Sequence, residues 1–411
     1  MSKGGVKMKK ESRIFSISGN PVSGKSTAIK KLIEKLREQG FSEENIHLVS
    51  TGEMFRNYFK KIINLMKNID NEETLQEISK DEDMKRILSN PIYRKKIQDT
   101  VISLKQAGLL SDDFDIANAF TVSQLASIRH IMDEVIDSET ARLGEEIVKA
   151  NNPNEVWIFD SRLAFNKIPS SFAIRLTVKD TVAAERLFND SSRGKEDSGY
   201  ESLEEAREKV IERTQGEQNA YKRRYGIDLQ DSNNYNLIID TSYADVDEIA
   251  ETILKCEEYD RAGKPYGKMW GSPEKFLPLQ GIMETGGIGY GSGLDFDELK
   301  ERIDKDGYDP GKEIEVVEVE GKFYIIEGHH RNFAVANLGK TLIPYKMSST
   351  LDQKQAEERA KTIRLSYLYD HETAFKRKNA DGTIKSFSYG DIYHNIYEEI
   401  KKQQEQEEQN Q

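Results

Sequence analysis

The 411-residue sequence contains a single cysteine, Cys256, and only nine prolines and two tryptophans. One cysteine excludes an internal disulfide framework and a thiolate zinc cage, and it is typical of a reducing compartment. No segment approaches the roughly eighteen consecutive apolar residues that a membrane-spanning helix needs. The basic first ten residues are not followed by the apolar segment of a signal peptide. We therefore expect a cytoplasmic protein that contacts no membrane.

Basic side chains are also in the minority, with 60 lysines and arginines against 72 acidic residues and a net charge of −12. This charge balance disfavours broad, sequence-independent binding of nucleic acid. A small anionic ligand held by a few arginines suits it better. At roughly 150 residues per domain, the length indicates two or three domains, each able to bury its own core.

Short, nearly continuous apolar segments alternate with helical patterns over residues 12–258. Continuous apolar character is typical of parallel strands that are covered on both faces. The pattern predicts an α/β domain with a parallel sheet, into which residues 57–150 insert several helices. The predicted strands are 13–18, 46–50, 156–160, 172–178 and 235–240.

The composition changes near residue 259, where glycine and proline become frequent. We interpret 259–275 as a linker and 276–350 as a smaller α+β domain, with strands at 313–319 and 322–327 and a helix that opens at Gly328. Residues 351–411 are predicted to form a helical C-terminal extension that ends in a polar tail.

A glycine-rich loop separates the first predicted strand from the first predicted helix and fits the pattern G-x-x-x-x-G-K-[ST]. Its glycines let the backbone wrap around a polyphosphate, and the helix N-terminus directs successive N–H groups at it. In this motif Lys25 reaches the terminal phosphates and the Ser26 hydroxyl ligates magnesium. The pattern predicts a nucleoside triphosphate site formed by Gly19, Asn20, Pro21, Val22, Ser23, Gly24, Lys25, Ser26 and Thr27.

A magnesium site beside such a loop also needs a carboxylate at the end of a neighbouring strand. Asp160 closes the segment VWIFD and is the best candidate, while Asp240 closes YNLIID and competes with it. A carboxylate at either place can instead serve only as a strand-end cap. We expect Ser26 and Asp160 to be the metal ligands.

Three further segments of the first domain resemble the cytidylate kinase family, especially its archaeal-type branch. STGEMFR (50–56) is similar to the stretch after the family's second strand, and DSRLAF (160–165) to its G-R-L-A-G run. Residues 212–242 resemble the family's ending, in which a helix leads through Y-G-I-D to the last strand. The resemblance implies a P-loop nucleoside-monophosphate-kinase fold, with ATP as phosphoryl donor and Mg²⁺ as cofactor.

The resemblance also implies roles for individual side chains. Thr51, Arg56 and Arg162 would bind the acceptor phosphate, and Arg186 and Arg213 would approach the nucleotide from either side of a lid. Convergence of several arginines is what phosphoryl transfer requires, because charge on donor and acceptor must be neutralised. The implied catalytic set is Lys25, Asp160, Arg162 and Arg213.

One departure from the family pattern bears on the acceptor. The family carries an arginine seven residues after the Arg213 position, where this sequence has Ala220. Arg223 or Arg224 could substitute only from a different helical turn. This departure leaves the identity of the acceptor open.

The second domain contains a segment, 322–347, that resembles the ParB/sulfiredoxin-like fold. The hallmark of that fold is a strand, a glycine, one or two polar residues and an arginine at a helix N-terminus, and in the superfamily this motif holds nucleotide phosphates. A helix start and an arginine favour anion binding, although the same residues can simply cap a helix. The segment predicts a second phosphate site formed by Glu327, Gly328, His329, His330 and Arg331.

These features favour an ATP-dependent phosphotransferase, a cytidylate-like nucleoside-monophosphate kinase with a second phosphate-binding domain. Its partners would be ATP and a small anionic acceptor. One alternative is a kinase of another small metabolite, such as a free amino acid, that uses the ParB-like domain. Another is a nucleotide-gated regulatory or DNA-associated module, which the net negative charge and the lack of an evident helix-turn-helix pattern disfavour.

Overall fold

The computed structural model describes residues 11–57, 89–92, 94–95, 99, 102, 106, 126–189, 200–279, 296–319, 321–348, 354–355, 375–378 and 384–387. They form a mixed α/β fold, which confirms the predicted fold class at that level. The chain divides into two compact units. The smaller comprises Lys10–Ile17 and Glu43–Ser171, and the larger comprises Met1–Lys9, Ser18–Ser42 and Phe172–Gln411. Within the described part of the chain, no helix is long and apolar enough to cross a membrane.

The smaller unit is built on three parallel strands in the order β2-β3-β1. The strands are β1 (Arg13–Gly19, of which Arg13–Ile17 lie in this unit), β2 (Ile46–Ser50) and β3 (Val156–Asp160). Helix α2 (Ala126–Ala150) and the short helix α3 (Ala164–Lys167) belong to the same unit, and their apolar side chains pack on the strands. Apart from residues 126–150, most of the predicted helical insertion at 57–150 lies outside the described residues.

The larger unit begins with α1 (Lys25–Glu38) and continues with β4 (Phe172–Thr177), α4 (Asp180–Asn189), α5 (Leu203–Tyr225), β5 (Leu237–Asp240) and α6 (Val246–Arg261). Strands β4 and β5 are parallel. Helix α1 packs against α6, and Lys31 and Lys35 of α1 form ion pairs with Asp247. The side chain of Cys256 in α6 is fully buried.

The same unit continues through β6 (Met269–Gly271), β7 (Phe276–Pro278), α7 (Phe296–Asp306), β8 (Ile314–Val319), β9 (Lys322–Glu327), α8 (His329–Asn337) and β10 (Ile343–Met347). Its strands lie in the order β4-β5-β6-β10-β8-β9-β7. Strand β6 pairs in parallel with β5 and antiparallel with β10. The stretch 259–275, which the sequence predicts to be a linker, therefore contains a strand that lies between the two predicted domains' strands.

The last described elements are β11 (Phe375–Lys378) and β12 (Ile384–Phe387), which form a separate antiparallel pair. They fall within 351–411, where the sequence predicts a helical extension. The polar tail lies outside the described residues.

Candidate functional site

The glycine-rich loop lies between β1 and α1, as its pattern predicts. Two of its residues take left-handed backbone conformations, Val22 with φ of 61° and Gly24 with φ of 75°. Gly24 is the N-cap of α1, and its carbonyl accepts a hydrogen bond from Ala28 N at 2.9 Å. A left-handed turn that leads into a helix leaves several backbone N–H groups without helical partners at one place, which is the arrangement that binds phosphate.

The side chains of the loop are suited to a polyphosphate with magnesium. Lys25 is half-buried at the first position of α1, and Ser26 and Thr27 are exposed beside it. The buried Ser23 hydroxyl has no hydrogen-bond partner among the described residues. Gly19 is tightly packed, because an added Cβ would lie 2.6 Å from Ser23 Oγ and 2.9 Å from the Leu176 carbonyl oxygen. The residues present therefore fit the donor nucleotide that the sequence predicts.

Arg186 of α4 donates hydrogen bonds both to the loop and to the residues after β5. Its Nη1 donates to the Val22 carbonyl at 3.3 Å, and its Nη2 donates to the Thr241 carbonyl at 2.6 Å and to the Ser242 carbonyl at 3.3 Å. Burial lowers the pKa of the guanidinium, while the charge of Asp240 acts in the opposite direction. The sequence assigns Arg186 to nucleotide binding. In the structure these donors are used to connect the loop to the end of β5.

Thr241 makes the second connection between the loop and β5. Its hydroxyl donates to the Ser23 carbonyl at 2.8 Å and lies 3.0 Å from the Thr177 carbonyl oxygen. A third connection comes from β4, where Arg175 Nη2 lies 3.3 Å from the Asn20 amide oxygen. The loop is thus fixed by side chains from β4, from the turn after β5 and from α4 of the larger unit.

Asp240, the competitor for the magnesium role, is occupied by protein partners. One carboxylate oxygen lies 2.9 Å from Lys275 Nζ, and the other accepts from the hydroxyl and the backbone N–H of Ser242. Burial opposes the charged form of Asp240, but the charge of Lys275 and these hydrogen bonds outweigh it and hold the pKa below its ordinary value. The same pairing outweighs burial at Lys275 and raises its pKa.

The predicted acceptor residues follow the ends of the adjacent strands β2 and β3 in the smaller unit. The Thr51 hydroxyl donates to the Asp160 carbonyl at 3.2 Å, and Asp160 pairs in register with both Ser50 and Ile17. Arg56 lies five residues after Thr51, in a helical segment at residues 51–57, and its side chain is exposed.

Ser161 replaces the first glycine of the family's G-R-L-A-G run. Its buried hydroxyl accepts from Leu163 N at 3.2 Å, so the side chain stabilises the turn that carries Arg162. Arg162 itself is half-buried. The serine is therefore accommodated by the turn through a local hydrogen bond.

Helix α5 is continuous through the region that the sequence compares with the family's lid helix. Arg213 is exposed and lies 3.5 Å from Glu217 on the next turn. In a helix, residues four, seven and eleven positions after Arg213 share its face, which places Glu217, Ala220 and Arg224 in one row. Arg223 points about a quarter turn away from that row, and its Nε donates to the Asn219 carbonyl. Of the two candidate substitutes for the missing arginine, Arg224 is the one on the Arg213 face.

The second predicted phosphate site lies where β9 meets α8. Gly328 is the left-handed N-cap, with φ of 98°. His329 is largely buried and its Nε2 accepts from Leu279 N at 3.2 Å, and this burial lowers its pKa to about 4. His330 and Arg331 are half-buried, and Arg331 Nη2 lies 3.5 Å from Glu327 Oε1. Of the predicted residues, His329 thus serves the fold, and His330 and Arg331 remain on the partly exposed side.

Sequence reasoning did not single out Arg175, Thr241, Ser242 or Lys275. Thr241 and Ser242 fall within the quoted family ending, so their position after the last strand was a usable signal. Lys275 had none, because it lies in a glycine- and proline-rich stretch far from the loop in sequence.

Comparison with known proteins agrees with this geometry. A cytidylate kinase from Methanosphaera stadtmanae is 27% identical over 164 residues, which is 39% of this chain and 86% of that protein. An S-adenosylmethionine-dependent nucleotide dehydratase from Lacinutrix mariniflava is 29% identical over 111 residues, 27% of this chain, and the chain spans only 21% of that enzyme. The crystal structure of TT1252 from Thermus thermophilus is 14% identical, with a TM-score of 0.29, over 61% of this chain and 98% of that one. This TM-score is too low to support an argument.

The sequence model of the cytidylate kinase-like family matches residues 14–243, which is more than half of the 411-residue chain. The match begins in β1, includes the phosphate loop, Asp160, Arg162 and α5, and ends just after Thr241 and Ser242. The chain belongs to the cytidylate kinase-like family.

Proposed function

We propose that the protein is an ATP-dependent, magnesium-requiring phosphotransferase that moves the terminal phosphoryl group of ATP to a small anionic acceptor of the nucleoside-monophosphate type. The observation that carries the proposal is the loop between β1 and α1, with left-handed Val22 and Gly24 followed by Lys25 and Ser26. Membership of a kinase family supports the same reaction class.

On the donor side, the loop N–H groups would hold the β- and γ-phosphates, and Lys25 would neutralise charge on them. Ser26 and Asp160 would hold Mg²⁺, which when bound screens the phosphate charges. Asp160 is favoured over Asp240 because it ends a strand that pairs in register with β1, which leads into the loop in sequence.

On the acceptor side, Thr51, Arg56 and Arg162 come from adjacent strand ends of one unit. Arg213 would add a charge from α5, and Arg224, on the same helical face, would take the place of the family arginine that Ala220 lacks. Each of these arginines would donate charge-assisted hydrogen bonds to the acceptor phosphate, with strength retained in the transition state.

A kinase for another small metabolite is the second candidate, and Ala220 is the observation that favours it. A smaller or differently placed acceptor group would need one phosphate-binding arginine fewer on α5. In either case we propose that His330 and Arg331 form a second anion site at the junction of β9 and α8. His329 takes no part in this site, because its Nε2 accepts a hydrogen bond from Leu279 N.

Purified full-length protein should be screened for ADP production with ATP, Mg²⁺ and each nucleoside monophosphate, free amino acids and sugars. We expect a nucleoside monophosphate, CMP first, to accelerate ATP turnover well above the unassisted rate. If only an amino acid or a sugar does so, the acceptor assignment is wrong and the second candidate replaces it.

The arginines of α5 provide a matched pair for the best acceptor. Arg224→Ala should raise the acceptor KM by about tenfold, the loss expected for one charge-assisted hydrogen bond. Arg223→Ala removes the same charge one residue away and should change KM by less than about twofold. Equal effects of the two variants would mean that Arg224 does not replace the missing arginine.

A further inference from the structure

Lys275 lies 250 positions after Lys25 in sequence, yet it is the partner of Asp240, whose neighbour Thr241 donates a hydrogen bond to the phosphate loop. It lies in a short 3-10 turn, Pro273–Lys275, outside the stretch that matches the kinase family. Its Nζ lies 2.9 Å from Asp240, and only 13% and 11% of the two side chains are exposed. The ammonium group also lies 4.4 Å from the Phe323 ring centre and 5.3 Å from that of Tyr345.

A short chain of contacts leads from this ion pair to the loop backbone. Asp240 accepts from Ser242 Oγ at 2.5 Å and from Ser242 N at 3.1 Å, which fixes the turn after β5. That turn carries Thr241, whose hydroxyl donates to the Ser23 carbonyl. It also presents the Thr241 and Ser242 carbonyls to Arg186, which donates to the Val22 carbonyl. All the residues that form this series of contacts lie in the larger unit.

We propose that Lys275 is a positioning residue for the nucleotide site: by pairing with Asp240 it fixes the turn that holds the phosphate loop in its binding conformation. The inference rests on the proposed function, because it assumes that the loop binds ATP. It extends that function by making the region after residue 261 a required part of the donor site, whereas the family match ends at residue 243.

The physical reason is that a buried carboxylate does not tolerate the loss of its cation. Removing Lys275 leaves the Asp240 charge desolvated, so the carboxylate must take up a proton, admit water or turn outward. Each of these outcomes changes the acceptor geometry that Ser242 now uses. The loop has a left-handed non-glycine residue, Val22, which persists only when its surroundings hold it. Loss of the turn therefore loosens the loop.

The test compares three variants of the full chain with the wild type. Lys275→Met removes the cation and keeps the length of the side chain. Asp240→Asn/Lys275→Met removes both charges, so that no buried charge is left unpaired and folding is preserved. Val316→Ala removes buried methyl groups from the same C-terminal core, outside the series of hydrogen bonds that leads from Lys275 to the loop, and controls for general loss of stability.

Two quantities are measured well below each melting temperature: the Kd for MgATP by calorimetry, and amide hydrogen exchange over residues 19–28. We expect Lys275→Met to raise the Kd roughly tenfold and to speed exchange in the loop. The double variant should recover most of the lost melting temperature but keep a raised Kd, because it has lost the ion pair that anchors the turn after β5. Val316→Ala should lower the melting temperature and leave both loop measurements unchanged.

The proposal is overturned if the double variant binds MgATP as tightly as the wild type and exchanges its loop amides at the wild-type rate. It is also overturned if Val316→Ala weakens binding as much as Lys275→Met does. Failure of the proposed function looks different, because the wild-type chain then binds no ATP. In that case loop exchange in the Lys275 variants, which needs no ligand, still decides whether the pair positions the loop.

Discussion

The molecule contains two junctions that look alike in sequence, one at Gly24 and one at Gly328. Each follows a strand, each glycine is the left-handed N-cap of a helix, and each helix carries a basic residue in its first turn. Their surroundings differ. An added Cβ at Gly24 would have its nearest contact at 3.8 Å, whereas at Gly328 it would lie 2.6 Å from Ile314.

The difference shows that a glycine at a helix N-terminus can meet two different structural requirements, open space at one junction and close packing at the other. At the phosphate loop the glycine leaves open space above a row of backbone N–H groups, and Arg186 and Thr241 secure the carbonyl side. At the second junction the glycine permits close packing against β8, and Nε2 of the first helical residue, His329, accepts a hydrogen bond from Leu279 N. Open space beside the N-cap, more than the glycine itself, is what a bound phosphate would need.

The largest effect should come from removing the cation of the first junction. Lys25→Ala should lower ATP-dependent transfer by at least about a hundredfold, because the proposed role of Lys25 is to neutralise charge in the transition state, while the fold stays intact. Steady-state kinetics and a melting curve test both parts. Lys30→Ala, an exposed lysine of the same helix, is the control and should be neutral. If the Lys25 variant keeps more than about a tenth of the activity, the loop is not the site that binds the phosphoryl donor.

The second prediction separates packing from binding at the two glycines. Gly328→Ala should destabilise the protein by about 3 kcal/mol, since it combines overpacking against Ile314 with a left-handed alanine. Gly24→Ala meets no close neighbour and should cost only about 1 kcal/mol of stability, while it weakens ATP binding. Chemical denaturation measures the stabilities. Equal losses of unfolding free energy in the two variants would contradict the difference in packing between Gly24 and Gly328.

The buried strands could be predicted well from sequence, because a strand covered on both faces leaves a continuous apolar run. IHLVS and VWIFD form strands with the predicted bounds, and the strand before the loop extends only one residue beyond them. Strand β6 was not predicted, because three residues in a stretch rich in glycine and proline carry no periodic signal. The roles of Lys275 and His329 depend on partners distant in sequence, Asp240 and Leu279, which only the folded chain identifies.

The third prediction uses pH to test whether His329 belongs to the fold. Burial lowers the pKa of His329 from 6.5 to about 4, so between these values the unfolded chain binds more protons than the folded one. Stability should therefore be present above the unfolded pKa and fall as the pH drops, by about 2 kcal/mol between pH 7 and pH 5 from this residue. Denaturant unfolding at several pH values measures this slope.

A pair of glutamine variants isolates the contribution of His329. His329→Gln keeps an acceptor for Leu279 N but cannot be protonated in this range, so it should flatten the slope between pH 7 and pH 5. His330→Gln is the matched control. Burial also lowers the pKa of His330, but His330 is less buried than His329, so its variant should change the slope less. An unchanged slope in His329→Gln would show that His329 does not titrate as its contacts indicate.

The smallest expected effect concerns Arg331 and decides whether the second junction binds anions at all. The ring NMR signals of His330, recorded in the full chain with phosphoserine or ATP, report this site alone. If His330 and Arg331 form an anion site, Arg331→Ala should weaken the response by about tenfold in affinity. Glu327→Gln should strengthen it slightly, because the exposed Glu327 carboxylate 3.5 Å from Arg331 would repel the same anion. If these residues only cap the helix, neither variant should change the response of the His330 signals to the anion, and Arg331→Ala should lower only the melting temperature.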